Sequence, residues 1–144
     1  MKRILTGIAA AGSILLLSLM AQAQPGPMVG AWVGQGVDPN TGVAVQVQYT
    51  FMPSGQFQKS FAMQVGYSGG FDWIAGDWFT DGPLLRLEVR QHYATGGGNQ
   101  GQLPPGELWY YEMPDPQTLV LTHALCVQQQ LNHPDCRLVL TRAQ

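Results

Sequence analysis

Three histidines are the side chains best suited to acid–base or metal chemistry: His92, His123 and His133. His123 shares an apolar face with the leucines of its own segment, so we expect its ring to point inward. His92 shares a polar face with Glu88 and Arg90, which predicts a solvated position, and His133 lies in the turn sequence NHPD. A metal site would need these rings to converge with a carboxylate, and their spacing does not require it. We therefore predict no metal site.

Motifs of known catalytic mechanisms do not occur in the sequence. The chain has no G-x-S-x-G elbow, no H-E-x-x-H pair and no P-loop. Glu88, Glu107 and Glu112 would act as a general acid and base only if the tertiary fold brought two of them together. The sequence therefore predicts neither an enzyme nor a resident cofactor.

Aromatic residues offer a different chemistry, the binding of an apolar ligand. Tyrosine hydroxyls and tryptophan N–H groups in an apolar cavity orient such a ligand. The alternative is that the same rings fill the interior as a core. The candidate interior residues are Tyr49, Phe51, Phe61, Trp73, Trp78 and His123.

Trp73 and Trp78 lie in the same segment, and the sequence leaves their placement open. In an unbroken strand they face opposite ways, so one belongs to the core and the other to the surface or rim. A bulge at Gly76 would bring both to one face, where they would line a pocket together.

The elements that position these side chains follow a period of two, which is typical of β-strands. The clearest run is 43–51, in which valine, tyrosine and phenylalanine alternate with smaller or polar residues. The run 56–65 alternates again and places Lys59 on the same face as Phe57 and Phe61. The predicted strands cover residues 29–34, 43–51, 56–65, 71–79, 84–93, 107–113, 118–125 and 137–142.

Eight short strands joined by hairpin-length turns predict an all-β fold, an eight-stranded antiparallel up-and-down barrel. Closing the first strand onto the last removes the two bare edges of an open sheet. A barrel of this size has an interior wide enough for packed side chains or for one small ligand. A β-sandwich is the structural alternative.

The N-terminus has the pattern of a secretory signal peptide. Lys2 and Arg3 precede an apolar run at 14–20, and the segment closes with the A-x-A sequence at 21–23. The apolar run is short for a membrane anchor, and no charged stop-transfer segment follows. We expect cleavage after residue 23, a single domain over 24–144, and a periplasmic or secreted protein without a membrane anchor.

Charge and cysteine content agree with export. Removing Lys2 and Arg3 changes the formal net charge from −2 to −4, which excludes nucleic acid as an expected partner. Cys126 and Cys136 are the two cysteines, and an even number in an exported chain predicts a disulfide. Metal binding by this single pair is the weaker interpretation, because it lacks the C-x2-C spacing of zinc sites.

Several short motifs resemble those of lipocalin-like, calycin-type β-barrels, in particular small exported bacterial proteins of unassigned function. The sequence GAW at 30–32 resembles the G-x-W opening of these barrels. The segment from Tyr49 to Phe57 resembles their Y-x-F-x-x-x-G-x-F hairpin, and Gly76-Asp77-Trp78 resembles a central G-x-W. The likeness covers nearly the whole chain after residue 23. The long helix that follows the barrel in true lipocalins has no counterpart in this sequence.

This resemblance implies particular roles for Trp32 and Arg142. The tryptophan of the opening strand closes one end of such barrels, and an arginine of the last strand packs across it. Exported inhibitors of bacterial metalloproteases also have a small barrel with a G-x-W start. Their disulfide lies early in the chain, whereas Cys126 and Cys136 lie late.

Two functions remain open from the sequence. The first is a barrel that binds a small apolar ligand in a cavity lined by aromatic residues. The second is a filled barrel that engages an exported protein, for instance as an enzyme inhibitor, through the loop at 94–106 or the segment between the cysteines. The volume of the barrel interior distinguishes the two.

Overall fold

The computed structural model describes residues 26–37, 42–65, 68–95 and 102–144. The segment predicted to be a signal peptide, residues 1–23, lies outside this range, as does much of the loop at 94–106. The strands are β1 (Gly30–Val37), β2 (Ala44–Phe51), β3 (Gln56–Val65), β4 (Ser68–Asp81), β5 (Leu84–Ala94), β6 (Glu107–Asp115), β7 (Thr118–His123) and β8 (Arg137–Arg142). A short helix, α1 (Ala124–Gln128), and a single helical turn, Pro134–Cys136, join β7 to β8.

The eight strands form one closed antiparallel barrel in which each strand pairs with its neighbours in sequence. Closure comes from β1 and β8, where Trp32 pairs with Arg142 and Gly34 with Leu140. The prediction of an all-β up-and-down barrel is confirmed, and the β-sandwich alternative is wrong. The architecture is consistent with a lipocalin-like fold.

Alternation along the strands separates a packed interior from a polar exterior. In β2, Val45, Val47, Tyr49 and Phe51 are buried, while the glutamines between them are exposed. Burial of these side chains is the main source of stability, at about 25 cal/mol per Å² of apolar surface. The largest fully buried side chains are Trp32, Tyr49, Phe51, Phe57, Leu85, Leu87, Leu119, Leu121 and Leu140.

The two ends of the barrel are built differently. The closed end holds the tight turns β2–β3, β4–β5 and β6–β7, together with the start of β1 and the end of β8. Gly55 and Gly82 adopt positive φ in two of these turns, a conformation that glycine tolerates. The open end holds the longer connections, among them the helical segment 124–136 between β7 and β8.

One β-bulge changes the phase of β5. Gly76 pairs with Val89 but Ala75 pairs with Gln91, so Arg90 is an extra residue of β5. The backbone approaches closely here, because a Cβ at Gly76 would lie 1.8 Å from the carbonyl oxygen of Glu88. The bulge affects every residue of β5 beyond Arg90.

The bulge turns His92 toward the barrel interior. His92 pairs with Ile74, which is only 4% exposed and faces inward. Directly opposed residues of neighbouring strands point to the same face of a sheet. The prediction that His92 shares the outer face of Glu88 and Arg90 is therefore wrong, because strict alternation does not survive the extra residue.

A second departure from the predicted strands is the end of β7. The predicted strand continues to residue 125, but β7 ends at His123 and α1 begins at Ala124. The His123 side chain caps this helix, since its Nδ1 accepts a hydrogen bond from the backbone N–H of Leu125 at 3.3 Å. The short helix carried no periodic signal in the sequence.

Candidate ligand-binding cavity

A cavity of about 320 Å³ lies at the open end of the barrel and is open to solvent on one side. Its volume is at the small end of the range for small-molecule sites. Apolar side chains form most of its wall: Val45, Val47, Phe61, Trp109 and Leu138. Tyr49 and Lys59 lie at its base, and Pro134, Asp135 and Arg137 lie at its rim.

Gly36 of β1 makes part of this volume available. A Cβ at this position would lie 3.6 Å from Val45 Cγ2 and Val47 Cγ2, which is ordinary van der Waals contact. A larger side chain at Gly36 would therefore project among the lining residues without striking the backbone. The absence of a side chain leaves space that a bulkier residue would fill.

Lys59 is the one buried charged residue in the part of the chain that the structure describes, with 5% exposure. Its Nζ donates to Glu107 Oε1 at 2.5 Å, and the Glu107 side chain is 19% exposed. A lysine is rarely this buried unless a partner neutralises it. The pair joins β3 to the start of β6 across the barrel interior.

Glu107 also accepts hydrogen bonds from two aromatic side chains. Trp109 Nε1 donates to its Oε2 at 2.8 Å, and the Tyr49 hydroxyl donates to the same oxygen at 3.3 Å. Burial raises the pKa of Tyr49 well above its ordinary value of 10.0, and the charge and hydrogen bond of Glu107 raise it further. Tyr49 thus stays a protonated donor at neutral pH.

Two aromatic rings flank the Lys59 ammonium group. Its Nζ lies 4.4 Å from the ring centroid of Phe61 and 5.0 Å from that of Tyr49. These are cation–π distances, at which the ring face attracts the positive charge. Lys59, Glu107, Tyr49, Trp109 and Phe61 form one connected group, which we call the Lys59 cluster.

A second polar pair faces inward from β4 and β5. His92 Nε2 lies 2.7 Å from Asp72 Oδ1, and the His92 side chain is 16% exposed. His92 Nδ1 is buried and has no hydrogen-bond partner among the described residues. Because an ionised carboxylate only accepts hydrogen bonds, the proton belongs on Nε2, and Nδ1 of the neutral ring is then an acceptor.

The candidate interior residues occupy different environments. Tyr49 and Phe61 line the cavity. Phe51 lies in the core, where its ring stacks on Tyr49 with centroids 5.8 Å apart. Trp78 packs against Phe51 at 5.5 Å, and its Nε1 donates to the Met52 carbonyl at 3.1 Å, toward the closed end.

His123 and Trp73 are the other two candidate interior residues. The His123 ring packs edge-on against Trp109 with centroids 5.0 Å apart, at the edge of the Lys59 cluster. Trp73 lies in a groove on the outer face with Gln58 and Gln91. The prediction that Trp73 lines the interior is wrong, because β4 runs unbroken through Gly76 and the extra residue belongs to β5.

Three members of the Lys59 cluster, Lys59, Glu107 and Trp109, were not predicted as site residues. For Lys59 the sequence does hold a signal, since it alternates in phase with Phe57 and Phe61. Glu107 has no such signal, because it stands at the first position of a strand and meets Lys59 from 48 residues away. Only closure of the barrel brings these two side chains together.

The closed end contains the contact that the resemblance implies. Trp32 is fully buried, its Nε1 donates to the Met28 carbonyl at 2.7 Å, and the Arg142 guanidinium lies 4.3 Å from its ring centroid. Arg142 also donates to the carbonyls of Pro27, Val29 and Pro116 at 2.6–3.0 Å. The N-terminal segment and the β6–β7 turn are therefore fastened across the base of the barrel.

Cys126 and Cys136 form a disulfide with their Cα atoms 5.8 Å apart. The bond ties α1 to the helical turn that supplies Pro134 and Asp135 to the cavity rim. Such a bond fits an oxidising compartment. In the described segments, no helix is long and apolar enough to cross a membrane.

No protein-family model matches the chain, and no curated protein is significantly similar to it. Within residues 26–37, 42–65, 68–95 and 102–144, no group of three or more His, Cys, Asp or Glu side chains is placed to hold a metal ion. The candidate site is thus characterised by its own geometry: a small apolar cavity with a neutralised lysine at its base.

Proposed function

We propose that this protein is an exported, lipocalin-like barrel that binds a small, largely apolar ligand in the cavity at its open end, without catalysing a reaction on it. The observation that carries the proposal is the cavity of about 320 Å³ above the Lys59 cluster. A packed core does not require a buried charge, and burying one is costly. The buried Lys59 beside an open cavity therefore supports a role in binding.

The arrangement of the cavity matches that of small-molecule sites. Such sites combine a mostly apolar wall with a few fixed polar groups that orient the ligand. Here the wall is Val45, Val47 and Leu138, and the fixed polar group is Lys59, held by Glu107. Because the lysine is anchored before any ligand arrives, little ordering would be needed on binding.

Three features support an exported location, periplasmic or secreted. The first is the signal-like pattern of residues 1–23, and the second is the disulfide Cys126–Cys136. The third is the resemblance of the sequence motifs to those of small exported lipocalin-like proteins. Fractionation of the native host and mass measurement of the mature N-terminus would test cleavage near residue 23.

Blocking the cavity tests the function directly. A Gly36→Phe variant would place a ring among Val45, Val47 and Leu138. A neutral fluorescent probe, phenylnaphthylamine, should bind the wild type and lose most of its affinity for this variant. A Gln48→Phe variant is the matched control, because it adds the same ring to an exposed outer position of β2. Equal affinities for both variants would contradict a cavity site.

The bound ligand itself is accessible to native mass spectrometry of protein purified from its own host. A reproducible added mass that is lost in Gly36→Phe and kept in Gln48→Phe would identify the ligand by its mass. A clean protein mass combined with no probe binding would remove the support for a ligand-binding barrel.

One observation favours the second function, a protein-interaction module or inhibitor of an exported enzyme. Leu125, Val127 and Leu131 are 54%, 47% and 53% exposed, and all three lie in or beside the disulfide-closed segment. Exposed apolar clusters mark protein contacts. Replacing the three with serine should leave probe binding intact and abolish capture of a host partner, if this function is the correct one.

A further inference from the structure

The geometry of the Lys59 cluster points to the chemical class of the ligand. We propose that the inner end of the ligand is a neutral oxygen acceptor, such as a ketone, ester or amide carbonyl, which accepts a hydrogen bond from the Lys59 ammonium group. This inference rests on the proposed function, because it assigns a ligand class to the same cavity.

The hydrogen-bond inventory at the base of the cavity leaves donors and few acceptors. An ammonium group has three N–H donors, and Glu107 is the one acceptor within hydrogen-bond distance of Lys59 Nζ among the described residues. The Tyr49 and Trp109 donors are both directed to Glu107. At the base of the cavity, the Lys59 ammonium group is therefore the donor that remains available to a ligand, and it requires an acceptor.

The charges around Lys59 select against an anionic ligand. Glu107 already neutralises the ammonium group, so a ligand carboxylate would meet a pair with no net charge. Asp72 adds a further acid on the inward face, opposite Phe61 in the β3–β4 ladder and beside His92. Arg137 and Asp135 lie at the exposed rim, where water screens them. A buried carboxylate would thus be costly, and a neutral carbonyl would not be.

The groups at the base of the cavity also exclude an ammonium ligand. Lys59 lines the cavity and presents positive charge to it, whereas the Glu107 carboxylate is not among the lining residues and already accepts hydrogen bonds from three donors. Away from Gln35, Asp135 and Arg137, the remaining wall is apolar and includes Phe61 and Trp109. A flat apolar body with one carbonyl oxygen therefore fits both the wall and the base.

Three compounds of nearly the same shape separate these possibilities. Naphthyl methyl ketone carries a carbonyl oxygen, isopropenylnaphthalene carries a methylene group in its place, and naphthoate carries a charged carboxylate. Titration calorimetry on the wild type should give the tightest binding for the ketone, about tenfold weaker binding for the alkene, and the weakest binding for naphthoate.

Changing the charge at the base should change the order of affinities. Glu107→Gln keeps an acceptor for Tyr49 and Trp109 but leaves Lys59 uncompensated, so this variant should bind naphthoate more tightly than the ketone. If Glu107→Gln does not fold, the double variant Lys59→Met with Glu107→Gln, which buries no charge, should bind ketone and alkene equally.

The outcomes separate the ligand class from the function. Wild-type binding that favours naphthoate, or that treats ketone and alkene alike, would overturn the acceptor proposal while leaving a ligand-binding barrel in place. The acceptor proposal would be overturned in the same way if none of the three compounds bound, while phenylnaphthylamine still bound the wild type and lost its affinity for Gly36→Phe. Loss of phenylnaphthylamine binding as well would overturn the function itself.

Discussion

The closed and open ends of this barrel use cations in opposite ways. At the closed end, Arg142 packs on Trp32 and its guanidinium group donates hydrogen bonds to backbone carbonyls, which holds separate segments together. At the open end, Lys59 binds one carboxylate and faces a cavity. The closed end thus uses its cation to hold segments together, whereas the open end keeps a cation beside a cavity, as the proposed ligand site requires.

The largest effect should come from breaking the closed end. Trp32→Ala removes a fully buried ring, and we expect the free energy of unfolding to fall by about 3–5 kcal/mol. Urea unfolding measures this loss, and Trp73→Ala on the outer face should cost about 1 kcal/mol or less. The folded Trp32→Ala protein should still bind phenylnaphthylamine. A large loss of affinity in the folded fraction would contradict the division between the two ends.

Removing the carboxylate at the open end should have the next largest effect. Glu107→Ala leaves Lys59 buried without its partner, so we expect a loss of about 3 kcal/mol. The double variant Lys59→Met with Glu107→Leu buries no charge and should recover most of that stability while losing the preference for a carbonyl ligand. A double variant as unstable as Glu107→Ala would show that the pair stabilises the fold in its own right.

Reduction of the disulfide should act on stability and on the cavity rim together. Opening Cys126–Cys136 should lower the free energy of unfolding by about 2–3 kcal/mol. It should also weaken probe binding, because Pro134 and Asp135 lie on the constrained segment. Unfolding with and without dithiothreitol provides the measurement. An unchanged unfolding midpoint would count against a structural role for the bond.

The smallest effect should come from Tyr49→Phe, which removes one hydrogen bond to Glu107 and should cost about 1 kcal/mol at neutral pH. Because the pKa of Tyr49 is raised in the folded state, its contribution is complete below pH 10.0. That contribution declines as the pH rises from there toward the higher folded pKa. Wild-type stability should therefore fall more steeply than that of Tyr49→Phe in this alkaline range, and parallel curves would contradict the raised pKa.

The fold could be predicted from the sequence because it depends on local alternation. All eight predicted strands overlap those of the structure, and the phase of β2 and of β3 as far as Phe61 is correct. The first errors arise where a tertiary constraint interrupts that alternation. The bulge at Arg90 moves His92 inward, and the disulfide-closed segment begins with a short helix where the predicted strand continues.

The candidate site was only half predictable for a related reason. Tyr49, Phe61 and the in-phase Lys59 are visible as one face of two strands. The ion pair of Lys59 depends on Glu107, which lies on β6, and β6 is not a neighbour of β3 in the sheet. Contacts across a barrel interior depend on the tilt and stagger of the strands, and sequence periodicity does not encode these.

The extra residue in β5 determines which side chains this wall presents to the barrel interior. If Arg90 paired regularly with Ala75, the rest of β5 would shift by one position, which would turn His92 outward and Gln91 inward. The acid–base pair with Asp72 would be lost without replacing either member. The inner surface of this wall therefore depends on the register that the bulge sets, as well as on the identity of the residues.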